Sequence, residues 1–128
     1  MVSFNLAFLF HIVIEVPACL NFFLAPSGQL GTYTPHAHAV IRQYAVLILT
    51  SVLVAFVFLR QPPDETSAKV AAALAIYHIA PSIRSMSRLR RQAQSREAIV
   101  FSQASLYLIV HGICFAALTH HFWTAIQP

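Results

Sequence analysis

Long apolar runs constrain this chain more than any other feature of its sequence. Four of them, at about 4–25, 40–59, 66–83 and 98–123, cover most of the 128 residues. A helix needs roughly 20 residues to cross about 30 Å of hydrocarbon. The first, second and fourth runs meet that length, and the Ala-rich third meets it if the others shelter it. We therefore predict one domain, an all-α integral membrane four-helix bundle with short connecting loops.

Composition and charge support a membrane protein. Hydrophobic residues make up 58% of the chain and charged residues 9%, whereas a water-soluble domain carries about 25% charged residues. The net charge is +4, but the Lys and Arg residues lie in short connectors beside apolar runs. This placement suits membrane orientation and anionic headgroups better than a nucleic acid. We expect membrane lipids as partners and no nucleic acid.

The connector at 84–96 predicts the orientation. It holds five arginines: Arg84, Arg88, Arg90, Arg91 and Arg96. The positive-inside rule places such a loop in the cytosol, and we expect the endoplasmic reticulum as the membrane. Alternation then places the loop before the second helix in the cytosol as well. Three of these arginines are also spaced three to four apart, so the third helix could continue into the connector.

The first apolar run carries ionisable residues in its middle. It has an acid there and lacks a basic residue before it, so we predict a retained membrane helix rather than a signal peptide. His11 and Glu15 are four residues apart, which places them about 40° apart on one helix face. Pro17 removes a backbone hydrogen bond and predicts a kink just after Glu15. A paired His and Glu could move protons as general acid and base.

Two other runs carry polar residues at helical spacing. The third contains Tyr77 and His78, and the fourth contains Gln103, Tyr107 and His111, spaced four and four. Ionisable residues inside a membrane are functional by default, and we expect these side chains to line one polar cavity. The alternative is that they only pair the helices, at about 0.6 kcal/mol for each hydrogen bond. The predicted catalytic residues are Glu15, His11, Tyr77, His78, Tyr107 and His111, and the predicted substrate-binding residues are Asn21, Arg42, Arg84 and Gln103.

Common motifs for nucleotides, metals and nucleophilic catalysis are missing from the sequence. There is no GxSxG, CxxC, HExxH or glycine-rich phosphate loop, and only three glycines occur in the chain. Cys19 and Cys114 lie in apolar runs, so we expect buried small side chains and no disulfide or metal pair. We predict no cofactor and no metal.

The remaining histidines form two pairs. His36 and His38 fall in a predicted loop, whereas His120 and His121 lie near the end of the fourth run. Neither pair has a Cys or Asp at metal-ligand spacing. We interpret both pairs as interfacial histidines.

Cofactor-free acid–base chemistry on a lipophilic small molecule fits these residues. In epoxide opening by hydrolysis or cyclisation, Glu15 would deprotonate the attacking water or hydroxyl. A Tyr or a protonated His, from Tyr77, His78, Tyr107 or His111, would then protonate the leaving oxygen. Double-bond isomerisation needs the same kinds of group. The alternative class is a non-enzymatic lipid binder, carrier subunit or assembly factor, and a four-helix carrier would need to form a homo-oligomer.

The chain also resembles a family of small membrane proteins. Its size, its four apolar runs and the stretches "HIVIEVPACLNFFLAPS" and "LAIYHIAPSIRS" are similar to the epoxide hydrolases or cyclases of fungal polyketide pathways of the aurovertin and citreoviridin kind. The resemblance implies epoxide opening in secondary metabolism and carries over no catalytic residue. A looser resemblance is to the emopamil-binding sterol isomerases, although this chain has only one mid-span carboxylate.

Overall fold

The computed structural model describes residues 5–30, 34–95 and 102–127 and confirms the all-α prediction. The described residues form four α-helices: α1 (Leu6–Leu24), α2 (Pro35–Phe58), α3 (Glu65–Gln94) and α4 (Gln103–Ala125), with a short 3-10 helix at Pro26–Gln29. The chain divides into two compact units, Met1–Gln61 and Pro62–Pro128. Each unit is an antiparallel helical hairpin, α1 with α2 and α3 with α4. These four helices are consistent with the predicted helical class.

Three helices are long and apolar enough to cross a membrane. They are α1, α2 and α4, judged by length and composition. The finding fits a membrane-embedded protein, as the sequence predicted. Helix α3 does not meet the same criterion of length and composition, and its second half is rich in arginine.

Helix α2 begins earlier than predicted. Thr34 has extended backbone dihedrals, and Pro35 occupies the first turn, where its missing N–H costs nothing and its fixed φ suits a helix. His36 and His38 therefore belong to the first turns of α2, so their assignment to a loop was wrong. His38 is also buried, at 5% exposure, and its position at the membrane interface stays a prediction.

Helix α3 is longer than predicted. It continues through Pro81 to Gln94, 30 residues in all, instead of ending at residue 83. The stretch after Pro81 contains no glycine or proline and is rich in Arg and Gln, which favour helix. The arginines from Arg84 to Arg91 therefore lie on a helix and not in a loop. Arg96 and the predicted helix residues 4 and 98–101 lie outside the described residues.

The first hairpin packs along one stripe of α1. Its buried members in the middle of the helix are Phe8, His11, Glu15 and Cys19, at the spacing of three to four residues that defines one face. Helix α2 presents a matching stripe of Ala45, Ile48, Val52 and Ala55. Contacts join the helices along their length: Phe8 with Phe58 at 5.8 Å between ring centres, Cys19 Sγ with the Ala45 carbonyl at 3.2 Å, and Phe22 with Tyr44 at 5.9 Å.

Small residues on α3 line its contact with α4 in the second hairpin. Ser67, Ala71 and His78 are fully buried on one stripe, and Ser67 and His78 both bond to α4. The facing stripe of α4 includes Cys114 and Leu118, both at 0% exposure. Small side chains let two helices approach closely, which is the usual way that helices associate in membranes.

This packing predicts a position-specific response to added volume. Ala71→Leu adds three carbons at a fully buried position and should destabilise the protein by about 1–3 kcal/mol. Ala73→Leu makes the same change on an exposed face of α3 and should change stability by less than about 0.5 kcal/mol. Unfolding of both variants in detergent micelles measures the difference. Equal destabilisation would contradict this packing.

The capping residues at the start of α3 contribute to the free energy of unfolding, and this contribution can be tested. Asp64 Oδ1 accepts from the Ser67 amide at 2.7 Å, and Ser67 Oγ accepts from the Asp64 amide at 2.9 Å, which is a capping box. Asp64→Ala should cost about 1 kcal/mol of unfolding free energy, whereas Asp64→Ser keeps an acceptor and should cost less. Thermal unfolding with circular dichroism compares them. A Ser variant as unstable as the Ala variant would argue against the cap.

Candidate functional site

The structure buries the ionisable pair of α1. His11 is 0% exposed and Glu15 is 1% exposed. They lie one helical turn apart on the stripe that packs against α2, between Phe8 and Cys19. Neighbours at this spacing have Cβ atoms about 5–6 Å apart. The prediction that the two side chains share one helix face and are buried is therefore confirmed.

A serine on α2 orients the His11 ring. His11 Nε2 lies 3.1 Å from Ser51 Oγ, and Ser51 Oγ lies 2.7 Å from the Ile48 carbonyl oxygen. The single hydroxyl proton goes to the carbonyl, which can only accept, so Ser51 accepts from the Nε2–H of His11. We assign the tautomer from this network. In the neutral ring Nδ1 is then the basic nitrogen.

The charge environment of Glu15 is unusual. It is the only acidic residue before Asp64, and the first lysine or arginine of the chain is Arg42. On α1, His11 bonds to Ser51 and Cys19 bonds to Ala45, so Glu15 is level with the apolar part of α2 around Ile48. The residue on α1 best placed to exchange a proton with this carboxyl is His11, one turn away. The arrangement therefore places a carboxyl and an imidazole one turn apart on the buried face of one helix.

The second hairpin contains a pair of imidazoles. His78 Nδ1 and His111 Nδ1 are 3.0 Å apart, and the ring centres are 5.3 Å apart. His78 is fully buried, and the Tyr77 ring meets it edge-on at 5.2 Å. One Nδ1 must donate and the other must accept, so the two neutral rings carry their protons on different nitrogens. An added proton can be held between them with only one ring charged.

The other predicted residues are less enclosed. Gln103 Nε2 donates to the Tyr107 hydroxyl at 3.0 Å, and both side chains are exposed. Arg42 Nε donates to the Phe23 carbonyl at 3.2 Å, at the end of α1. Asn21 and Arg84 are exposed on α1 and α3. The expectation of one cavity lined by three helices stays a prediction.

Sequence reasoning missed a further buried histidine. His121 is 7% exposed, and its Nε2 lies 3.2 Å from Ser67 Oγ. Ser67 Oγ also donates to the Asp64 carbonyl at 2.9 Å, so His121 supplies the proton of its own bond. Its spacing of three from Leu118 and seven from Cys114 places it on the buried stripe of α4. That spacing, with the "DETS" cap of α3, was the available signal.

Residues able to ligate a metal occur in both hairpins. They include the buried His11 and Glu15 of the first hairpin and the buried His78 of the second.

Comparisons with known proteins add no further information. No protein-family model matches the chain, and no curated protein or solved structure matches it. The resemblance to epoxide hydrolases and cyclases therefore stays a prediction.

The imidazole pair predicts a measurable tautomer pattern. Ring ¹⁵N spectra of the labelled protein should show one of His78 and His111 protonated at Nδ1 and the other at Nε2, because the Nδ1 atoms share one proton. His111→Gln should move the signals of His78, whereas His120→Gln, on the exposed side of α4, should not. Two Nε2–H rings would contradict the observed contact.

Proposed function

We propose that the protein is an integral membrane enzyme that opens epoxides of lipophilic small molecules by cofactor-free acid–base chemistry. The observation that supports this most is the buried His11–Glu15 couple on α1, a helix apolar enough to cross a membrane. A carboxyl inside a membrane segment is costly to keep and usually marks a functional site. Glu15 has no counterpart elsewhere among the apolar helices.

The membrane setting supports a lipophilic substrate. Three helices are long and apolar enough to span the bilayer, so an apolar molecule dissolved in lipid can approach the buried couple without crossing water. Opening an epoxide needs a base for the nucleophile and an acid for the ring oxygen, and no redox partner. The couple can supply both groups.

The hydrolytic reaction balances on these two side chains. Ionised Glu15 takes a proton from water as the water oxygen bonds to an epoxide carbon and the ring C–O bond breaks. The electron pair of that bond stays on the ring oxygen, which takes a proton from protonated His11 Nδ1. Water and epoxide become a diol. Proton transfer from Glu15 back to His11 then resets the couple, and its net charge is the same throughout.

Cyclisation follows the same scheme when a hydroxyl of the substrate replaces water. The choice of epoxide opening among acid–base reactions comes from the resemblance to the fungal polyketide proteins. Double-bond isomerisation is the alternative reaction: the acid protonates an alkene carbon and the base removes a proton from a neighbouring carbon. The second hairpin holds the other predicted proton donors, which are Tyr77, His78, Tyr107 and His111. Each is a separate candidate for the acid that protonates the leaving oxygen.

A second candidate function is a non-enzymatic membrane protein that binds a ligand or assists assembly. One observation favours it: three histidine contacts each join the two helices of one hairpin. These are His11 with Ser51, His78 with His111, and His121 with Ser67. Such bonds hold helices together without chemistry, at about 0.6 kcal/mol each.

Replacement of the carboxyl separates these functions. Glu15→Gln keeps the shape and removes the base, so the turnover of a lipophilic epoxide by membranes should fall at least about 100-fold, the lower range of a general-base contribution. The matched variant is Thr50→Val, on an exposed face of α2, and it should leave turnover unchanged. Turnover should survive a metal chelator, because the scheme uses no metal.

Three outcomes distinguish the candidates. Full turnover in a folded Glu15→Gln protein contradicts Glu15 as the base. Loss of turnover in His78→Gln, with Glu15→Gln unaffected, moves the chemistry to the second hairpin. Retained binding of epoxides without turnover by the unaltered protein favours the non-enzymatic function.

A further inference from the structure

The last third of α3 carries charge of one sign. Arg84, Arg88, Arg90 and Arg91 lie within eight residues, and no Asp or Glu occurs in the sequence between Glu65 and Glu97. The helix extends continuously through this stretch to Gln94. The positive charge therefore lies along one continuous helix.

The same helix presents an exposed apolar stripe. Ile76, Ile79, Ile83 and Met86 are 66%, 42%, 59% and 44% exposed, and their spacing of three to four residues places them on one face. Lys69 precedes the stripe and Arg90 follows it on the same side. These two cations are about 30 Å apart along the helix, at 1.5 Å for each residue. That distance is about the hydrocarbon thickness of a bilayer.

The arginine contacts fit the edge of a membrane. Arg90 Nη2 lies 4.0 Å from Met86 Sδ, so the side chain folds back one turn and places its guanidinium beside the end of the apolar stripe. Long cationic side chains commonly cover apolar surface with their stems and keep their charged ends in the polar region. Arg91 Nε donates weakly to the Ser87 carbonyl at 3.4 Å, which keeps that side chain against its own helix.

We propose that the segment 83–91 of α3 binds the phosphate headgroups of anionic phospholipids. The four arginines supply the charge complementarity, since each cation near an anionic surface strengthens attachment about fivefold. Ile83 and Met86 lie beside them and face the acyl chains. The proposal also explains why a helix that fails as a span by composition carries a lipid-like stripe.

A lipid surface fits better than one small soluble anion. At 100° for each residue, Arg84 and Arg91 point close together, but Arg90 points more than 100° away from Arg84 around the helix. Side chains that diverge in this way contact several headgroups and cannot close around one phosphate. The predicted cytosolic side of this segment is also the side on which membranes carry anionic lipid.

The test uses the full chain purified in neutral detergent. Native mass spectrometry counts dioleoyl phosphatidylglycerol and dioleoyl phosphatidylcholine retained from an equimolar mixture. We expect preferential retention of phosphatidylglycerol, reduced at least about tenfold when all four arginines become glutamine. Changing all four to lysine should preserve most of it. Arg60→Gln with Lys69→Gln, cations elsewhere on the chain, should leave it unchanged.

Several results would overturn the proposal. Equal retention of both lipids does so, and so does a four-glutamine variant with the selectivity of the unaltered protein. Displacement of phosphatidylglycerol by orthophosphate would show a site for a soluble anion instead. If the four-glutamine variant does not fold by circular dichroism, Arg84→Gln and Arg91→Gln are measured singly, and no loss in either contradicts the proposal. None of these results depends on enzymatic turnover.

Discussion

The shortage of hydrogen-bond partners inside a bilayer is the constraint on which the rest of this structure depends. A polar side chain on an apolar helix must bond within the protein, because lipid offers nothing in exchange. In each hairpin a histidine meets that requirement through the facing helix: His11 through Ser51, and His78 through His111. These bonds set which face of each helix turns inward. The apolar residues on the remaining faces can then contact lipid.

Helix pairing alone does not account for the carboxyl of Glu15, because serine and histidine can satisfy that role. A carboxyl at 1% exposure, on a segment that holds no lysine or arginine, is costly to bury. It lies one turn from an imidazole whose Nε2–H bonds to Ser51. The proposal of chemistry rather than assembly rests on this placement.

Much of the fold could be predicted from the sequence. The apolar runs predicted four helices, and the four-residue spacing placed His11 and Glu15 on one buried face. The helix ends were harder. Helix α2 begins at Pro35, earlier than predicted, and therefore includes His38. Helix α3 continues past Pro81 because arginine and glutamine occur in helices as well as in loops.

The pairings between helices could not be read from one helix at a time. Ser51 was only a polar residue in an apolar run until α2 placed it beside His11. His121 looked interfacial because it lies near the end of its run, but the hairpin register brings it to the capping box of α3. Spacing predicts a face, whereas the partner across that face depends on register, which is set by the packing of many small residues together.

We propose that Glu15 and His11 exchange a proton. Infrared titration of the Glu15 carboxyl tests this most directly, with its C=O stretch identified as the band absent from Glu15→Gln. We expect the midpoint of this band to change when His11 is replaced by Asn, with the fold intact. An identical titration in the unaltered protein and in His11→Asn would show that the carboxyl does not sense the imidazole, and would contradict the couple.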